Sequence, residues 1–249
     1  MCGIAGYWNY RSLREASGAV LKSMVQSMTH RGPDEDGIWV EGPLAIGMRR
    51  LRVIDPLGGH QPMPNEDGSV QVVFNGEIYN HQELRTELEA SGHRFRTRSD
   101  TEAIVHAYEQ WGPASVSRLF GMFAFAIWDA RRQELLLARD RLGIKPLYVY
   151  DGPEGVVFAS ELKAVLAAPW VPVEWDLEAV DDFMTYEYVP APRSIVRGIR
   201  KLTPACVRRY RRDPDPGPCE ERYWRLGPGP APSSPEEARA ELRRRFTVS

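Results

Sequence analysis

Met1-Cys2-Gly3-Ile4-Ala5-Gly6-Tyr7-Trp8 opens the chain, and residues 3 to 8 form an unbroken apolar run. A chain end is normally loose unless packing ties it down. A short continuous apolar run fits a buried strand, so this chain is expected to enter its core almost from the first residue. Outward from it, Leu21, Met24, Val25 and Met28 follow helical spacing and predict a helix over about 17–28. His30-Arg31-Gly32-Pro33-Asp34 ends it as a rigid turn, with Arg31 and Asp34 read most simply as an internal ion pair. Strands are expected around 37–41, 44–51 and 70–75.

Asn80 reads as the N-cap of a helix with Leu84 and Leu88 inward and Gly92 past its end. Ser99-Asp100-Thr101-Glu102 fits the capping-box pattern and opens a helix that buries Ile104, Val105 and Tyr108 and stops at Gly112. Two hairpins follow, 122–129 with 134–139 and 147–150 with 156–159, then helices over 161–168 and 177–186. Many short hairpin-linked strands with amphipathic helices indicate a mixed α+β fold rather than a wound parallel sheet. The stretch 213–235 is rich in Pro and Gly and reads as a linker. Residues 236–245 read as a charged helix with nothing following to pack against, so the chain is expected to be a piece of a larger protein.

The 249 residues are 43% hydrophobic and 27% charged, which excludes wholesale disorder. A formal net charge of -2 argues against nucleic acid as a partner, because phosphate binding needs a basic excess. The Arg208, Arg209, Arg211 and Arg212 cluster reads as a solvated strand end. No apolar run is long enough to cross a bilayer, and no signal peptide is evident. The three cysteines, Cys2, Cys206 and Cys219, form neither a disulfide framework nor a zinc pattern, and His30, His60, His81, His93 and His106 lack ligand spacing. No metal is therefore expected, and the expected location is the cytoplasm.

Cys2 is the sharpest chemical feature. A residue this small permits removal of Met1, which would leave a thiol and a free α-amine on one residue. That amine has a reference pKa of about 7.7–8.0 and can serve as a base for its own side chain; the alternative is an incidental small hydrophobe. Asn75-Gly76-Glu77 ends an apolar strand. A carboxamide followed by a close-approaching N–H can supply the two donors that an oxyanion needs, although Asn-Gly is also an ordinary turn. Arg50 and Arg52 flank Leu51, and either guanidinium suits a carboxylate; alternation would put both on one face and cannot choose between them. Asp100 at a helix start is explained more simply by the helix dipole than by a ligand role. These residues alone indicate a thiol hydrolase and little more.

The motifs taken together resemble the class II glutamine amidotransferases, N-terminal nucleophile hydrolases, in their asparagine synthetase branch. The matching pieces are Met1 to Gly6, His30 to Asp34, Arg50-Leu51 with Ile54-Asp55, Gly59 with Gln61-Pro62-Met63, Asn75 to Asn80, and Ser99 to Glu102. They continue through Gly121 to Ala126, Arg139-Asp140, Gly143 to Tyr148, Ala159 to Lys163 and Tyr188 to Pro192. The resemblance covers residues 1 to 226 in the family's order. It departs at Met48-Arg49, where the family commonly has His, and at Arg52, often Ser.

The resemblance implies a four-layer αββα sandwich of two antiparallel sheets. It implies Cys2 as nucleophile, Asn75 and the Gly76 N–H as oxyanion hole, Arg50 for the glutamine α-carboxylate, Glu77 and Asp100 for its α-ammonium end, and the backbone near Val53 for seating it. It divides the chain into a glutaminase domain 1–212, a linker 213–235 and the start of a truncated synthetase domain 236–249. L-glutamine is then the substrate. A C-terminal ATP-dependent synthetase domain, absent from this chain, would use the ammonia to make asparagine from aspartate. The chain itself would hold no cofactor, since ATP and Mg belong to that missing domain; a homodimer is left open. Alternatives are a different ammonia acceptor or a docking domain without turnover.

Overall fold

In the computed structural model, which describes residues 1–212, 217–227 and 233–248, the opening apolar run is strand β1 (Gly3–Trp8), buried at every residue. It pairs antiparallel with β3 (Leu44–Arg50) on one side and β9 (Val156–Ala159) on the other. β2 (Glu35–Glu41), β8 (Tyr148–Asp151) and β10 (Ile199–Lys201) complete a six-stranded sheet in the order β10-β8-β9-β1-β3-β2. A second sheet takes the order β12-β11-β7-β6-β5-β4. It is built from β4 (Met63–Pro64), β5 (Val70–Ile78), β6 (Gly121–Asp129), β7 (Glu134–Arg139), β11 (Cys206–Arg211) and β12 (Cys219–Arg222). Every pairing in both sheets is antiparallel.

Alternation along the strands divides the core into three layers. Ile4 and Trp8 of β1 pack with Val73, Ala124, Leu135 and Leu137 between the sheets. Ala5 and Tyr7 point the other way, onto Leu21, Met24 and Val25 of α1 (Gly18–Gln26) and Ala164 and Val165 of α4 (Leu162–Leu166). On the outer face of the second sheet, Val72, Phe74 and Ile78 meet two helices. These are α2 (His81–Ala90) with Leu84 and Leu88, and α3 (Asp100–Trp111) with Ile104, Val105 and Tyr108. The result is helix, sheet, sheet, helix, as expected. Each fully buried aliphatic side chain in these layers contributes about 1.5–3 kcal/mol relative to exposure.

Local details depart from the sequence reading. Ser99 caps α3 by accepting from Thr101 N–H at 3.2 Å, but the capping box does not close. Glu102 instead turns back to accept from Arg96 N–H and Thr97 N–H, both at 2.7 Å, pinning the loop before the helix. Asn80 caps α2 by position only. Its amide bridges Arg118 O and Phe120 N–H, and so ties the helix start to the segment entering β6. The expected linker 213–235 contains β12, paired with β11, and Tyr223, whose hydroxyl donates to Arg139 O at 2.9 Å. Residues 213–216 and 228–232 of that stretch lie outside the described residues. Two further helices are α5 (Leu177–Tyr186) and α6 (Pro235–Val248). No described helix is long and apolar enough to cross a membrane.

Candidate active site

β1 enters the interlayer space with Ile4 inward, so Cys2, two residues earlier, projects into the same space, against that core. Its position is fixed from three sides. Arg31 Nε donates to Cys2 O at 2.8 Å, Ile4 N–H donates to Ser160 Oγ at 3.0 Å, and Ser160 N–H donates to Ile4 O at 2.8 Å. Arg31 and His30 both reach Glu161 Oε1, at 3.1 and 2.9 Å. The expected internal pair of Arg31 with Asp34 is thus replaced by a long-range one, and Asp34 accepts from Arg52 N–H instead. The half-buried Arg31 spends Nε on the chain end and Nη1 on Glu161, which precede β1 and α4, and its Nη2 has no hydrogen-bond partner among the described residues.

Cys2 Sγ lies 3.4 Å from Leu51 N and 3.7 Å from Leu51 O. Burial pushes the Cys2 thiol up, and the Leu51 N–H, the chain-terminal charge and Arg50 offset this only in part. The sulfur therefore rests as a thiol near neutral pH and needs a base to become a nucleophile.

Cys2, Arg50, Val53, Asn75, Gly76, Glu77 and Asp100 all line one cavity of about 140 Å³, together with Met1, Leu51 and others. The second sheet brings Asn75 there. Val73 of β5 faces the interlayer core, so Asn75 faces it too, and it is 1% exposed. Neither Nδ2 nor Oδ1 of Asn75 has a hydrogen-bond partner among the described residues. A bare buried amide costs about 1–3 kcal/mol, so a fold that keeps one calls for a reason.

The edge of β5 supplies a second donor. Phe123 of β6 uses its N–H and C=O on Asp140, so its cross-strand neighbour Gly76 is not hydrogen-bonded to β6. The N–H groups of residues 74, 76 and 78 then leave the same edge of β5. Phe74 N–H is taken by Gln61 Oε1 at 2.7 Å and Ile78 N–H by Asp100 Oδ2 at 3.0 Å. The Gly76 N–H between them has no protein acceptor among the described residues and opens at the cavity that Gly76 lines.

Gly76 is also sterically required, because a Cβ there would fall 2.7 Å from Phe123 Cα and closer still to Met122 O. Gly76→Ala is therefore expected to destabilise the fold by about 2–4 kcal/mol through backbone overpacking, read from the shift in denaturant midpoint. A shift under about 0.5 kcal/mol would contradict that strand spacing.

Arg50 ends β3 and is buried. Its guanidinium is held by Ile54 O at 3.1 Å, Asp55 O at 2.8 Å and Glu35 Oε2 at 3.2 Å. Arg52 lies past the strand end, where alternation no longer applies, and pairs with Glu35 at the surface. Asp100, the first residue of α3, is buried, which pushes its carboxyl up against the opposing effect of Ile78 N–H. Its helix-start position and its place in the cavity coexist. Val53 is exposed at the rim and Glu77 half-buried.

Sequence reasoning did not single out Gln61, Thr101, Met122 or Lys145, which also line the cavity. Gln61 bridges Phe74 N–H and Thr101 Oγ1, and so fixes β5 against α3. Lys145 is buried on a loop whose N–H groups at Leu142, Ile144 and Lys145 converge on Asp140. A lysine amid the apolar pattern of 143–148 was the one available signal.

The family model of the glutamine amidotransferase domain matches residues 1–224. Asparagine synthetase [glutamine-hydrolyzing] 1 of Bacillus subtilis is 41% identical over 217 residues, 86% of this chain and 34% of that protein. A putative asparagine synthetase [glutamine-hydrolyzing] of Mycobacterium tuberculosis is 39% identical over 240 residues, 90% of this chain and 36% of that protein. The chain thus spans about a third of the length of these curated relatives. Among solved structures, the glutamine phosphoribosylpyrophosphate amidotransferase of B. subtilis superposes with TM-score 0.63 at 22% identity, covering 90% of this chain and 50% of that one. At that identity the likeness is one of fold.

Proposed function

The chain belongs to the class II glutamine amidotransferase domain family, related to the asparagine synthetases, and from this premise we propose that it hydrolyses L-glutamine through Cys2. The observation that carries the reading is the Asn75 amide, without a partner among the described residues and buried in the Cys2 cavity next to Gly76, whose N–H faces away from β6.

With Met1 removed, the Cys2 α-amine takes the thiol proton and the sulfur attacks the side-chain carboxamide carbon of glutamine. The C–S bond forms and the carbonyl π electrons move onto oxygen, where Asn75 Nδ2–H and Gly76 N–H receive the negative charge. Collapse of this intermediate breaks the C–N bond. The α-ammonium returns its proton to the leaving nitrogen, and ammonia departs. Water then adds to the γ-glutamyl thioester with the same amine as base, releasing glutamate and restoring the thiol. The raised thiol pKa supports the need for that amine, because burial leaves little thiolate to act unaided.

Arg50 is proposed to hold the substrate α-carboxylate, Glu77 and Asp100 its α-ammonium end, and the backbone near Val53 to seat it. Arg50→Lys keeps the charge but loses the planar fork. It is expected to raise the KM for glutamine at least tenfold with a smaller change in kcat; an unchanged KM would remove Arg50 from substrate binding.

The identity to asparagine synthetases favours aspartate as the ammonia acceptor, served by an ATP-dependent domain. Residues 1–212, with β12 and Tyr223 packed onto them, are then the glutaminase, the rest of 213–235 the linker and 236–249 the beginning of the synthetase domain. An exposed apolar surface around α5, with Trp175, Phe183, Met184 and Tyr188, supports docking of a further domain. The direct assay is release of glutamate and ammonia from glutamine by the purified chain without ATP. Glutamate formation supports the reading. No glutamate, from the isolated chain and from the chain joined to its synthetase domain alike, would favour the docking reading.

A further inference from the structure

Apart from the residues that line the Cys2 cavity, side chains separated along the sequence converge. His106 and Glu109 sit one turn apart on α3, His93 lies in the loop after α2, and Glu66 lies in the turn between β4 and β5. One ligand atom from each falls within 4.8 Å of all the others.

The distances have a recognisable scale. His93 Nδ1 and His106 Nδ1 are 3.3 Å apart, His106 Nδ1 and Glu109 Oε2 are 3.0 Å apart, and His93 Nδ1 and Glu109 Oε2 are 3.8 Å apart. A triangle with those edges has its corners all about 2 Å from a common centre, which is the length of a zinc–nitrogen or zinc–oxygen bond. Glu66 Oε1, 3.9 Å from His106 Nδ1, stands ready as a fourth ligand atom.

Two of the three closest groups are also held from behind. His93 Nε2 lies 3.1 Å from Gln110 Oε1, which can only accept. This places the ring proton on Nε2 and leaves the Nδ1 lone pair for the centre. Glu109 Oε1 accepts from Asn65 Nδ2 at 2.7 Å. His106, 2% exposed, has no hydrogen-bond partner for its Nε2 among the described residues; Glu102 Oε1 stands 3.7 Å from it, fixed by Arg96 N–H and Thr97 N–H. An amide behind His93 and behind Glu109 matches the outer-shell pattern of metal-binding histidines and carboxylates.

We propose that His93, His106 and Glu109, with Glu66 as fourth ligand, bind one divalent transition-metal ion of the zinc class. The donor set of two imidazoles and two carboxylates suits zinc in a four-coordinate site. Carboxylate oxygens of Glu66, Glu102 and Glu109 lie 3.9, 3.7 and 3.0 Å from the His106 ring nitrogens and gather negative charge around the centre. The ion would clasp α3, the loop after α2 and the β4–β5 turn, leaving Cys2 chemistry untouched. The sequence concealed this because His93 and His106 are 13 residues apart and meet only when α2 and α3 pack.

The test uses the whole purified chain, stripped with chelator and titrated with Co²⁺ and then with Zn²⁺. The expected result is one equivalent bound, with the visible absorption of tetrahedral Co²⁺ bleached by zinc. Melting temperature should rise on loading. His93→Ala and Glu109→Gln, both at partly exposed positions, should each weaken binding at least a hundredfold and abolish the thermal shift. Gln110→Ala should weaken it about tenfold, and His60→Ala, remote from the cluster, should leave it unchanged. No stoichiometric uptake by the wild-type chain, or uptake unaffected by His93→Ala and Glu109→Gln, would overturn the proposal and leave a protonated His106 as the cluster's cation.

Discussion

Cys2→Ala is expected to lower glutamine hydrolysis by about three orders of magnitude or more, the scale of losing a covalent nucleophile. Stability should stay within about 1 kcal/mol. The half-buried thiol makes two weak polar contacts, both to Leu51, and packs as a small side chain that alanine largely replaces, whereas the bonds of Arg31 and Ser160 to the backbone of Cys2 and Ile4 position the chain end and are left in place. Activity and folding should therefore separate cleanly in parallel kinetic and melting experiments. Activity near wild type would remove Cys2 from the chemistry. A large loss of stability would recast it as a core residue.

Asn75→Ala carries the second largest effect. Removing one oxyanion donor typically lowers kcat about 10²–10³-fold, and KM should change by only a few fold because the donor acts on charge absent from the ground state. The same substitution removes a buried amide that has no partner among the described residues. Its melting temperature should therefore hold or rise, a sign opposite to that of an ordinary buried polar deletion. An Asn75→Ala chain that melts earlier yet keeps its kcat would mean that the amide serves packing alone.

Much of the architecture was readable because it is written locally. The run Gly3 to Trp8 declared a buried strand, the 3.6-residue spacing of Leu21, Met24, Val25 and Met28 declared α1, and alternation made the layered core foreseeable. What escaped was set by distant contacts. β12 is exposed at all four residues and carries no periodic signal; only pairing with β11 makes it a strand. Glu102 left its expected capping partner for Arg96 and Thr97, and Arg31 left Asp34 for Glu161, 130 residues away.

The cavity was legible in its residue types but not in their assembly. Cys2, Arg50, Asn75 and Asp100 come from β1's approach, β3's end, β5 and α3's start, and only stacking of two sheets makes them neighbours. Alternation could not separate Arg50 from Arg52 because β3 ends at Arg50. Gln61 was missed because its role, bridging a strand N–H and a helix hydroxyl, leaves no pattern along the chain.

The most direct single measurement is the mass of the N-terminal peptide after reaction of the purified chain with a glutamine-mimicking electrophile. The prediction is a peptide beginning at Cys2, carrying one adduct on its sulfur that excess glutamine prevents. A peptide that retains Met1, or an adduct that is absent or sits on Cys206 or Cys219, would contradict the claim that the thiol and α-amine of residue 2 together open glutamine's amide.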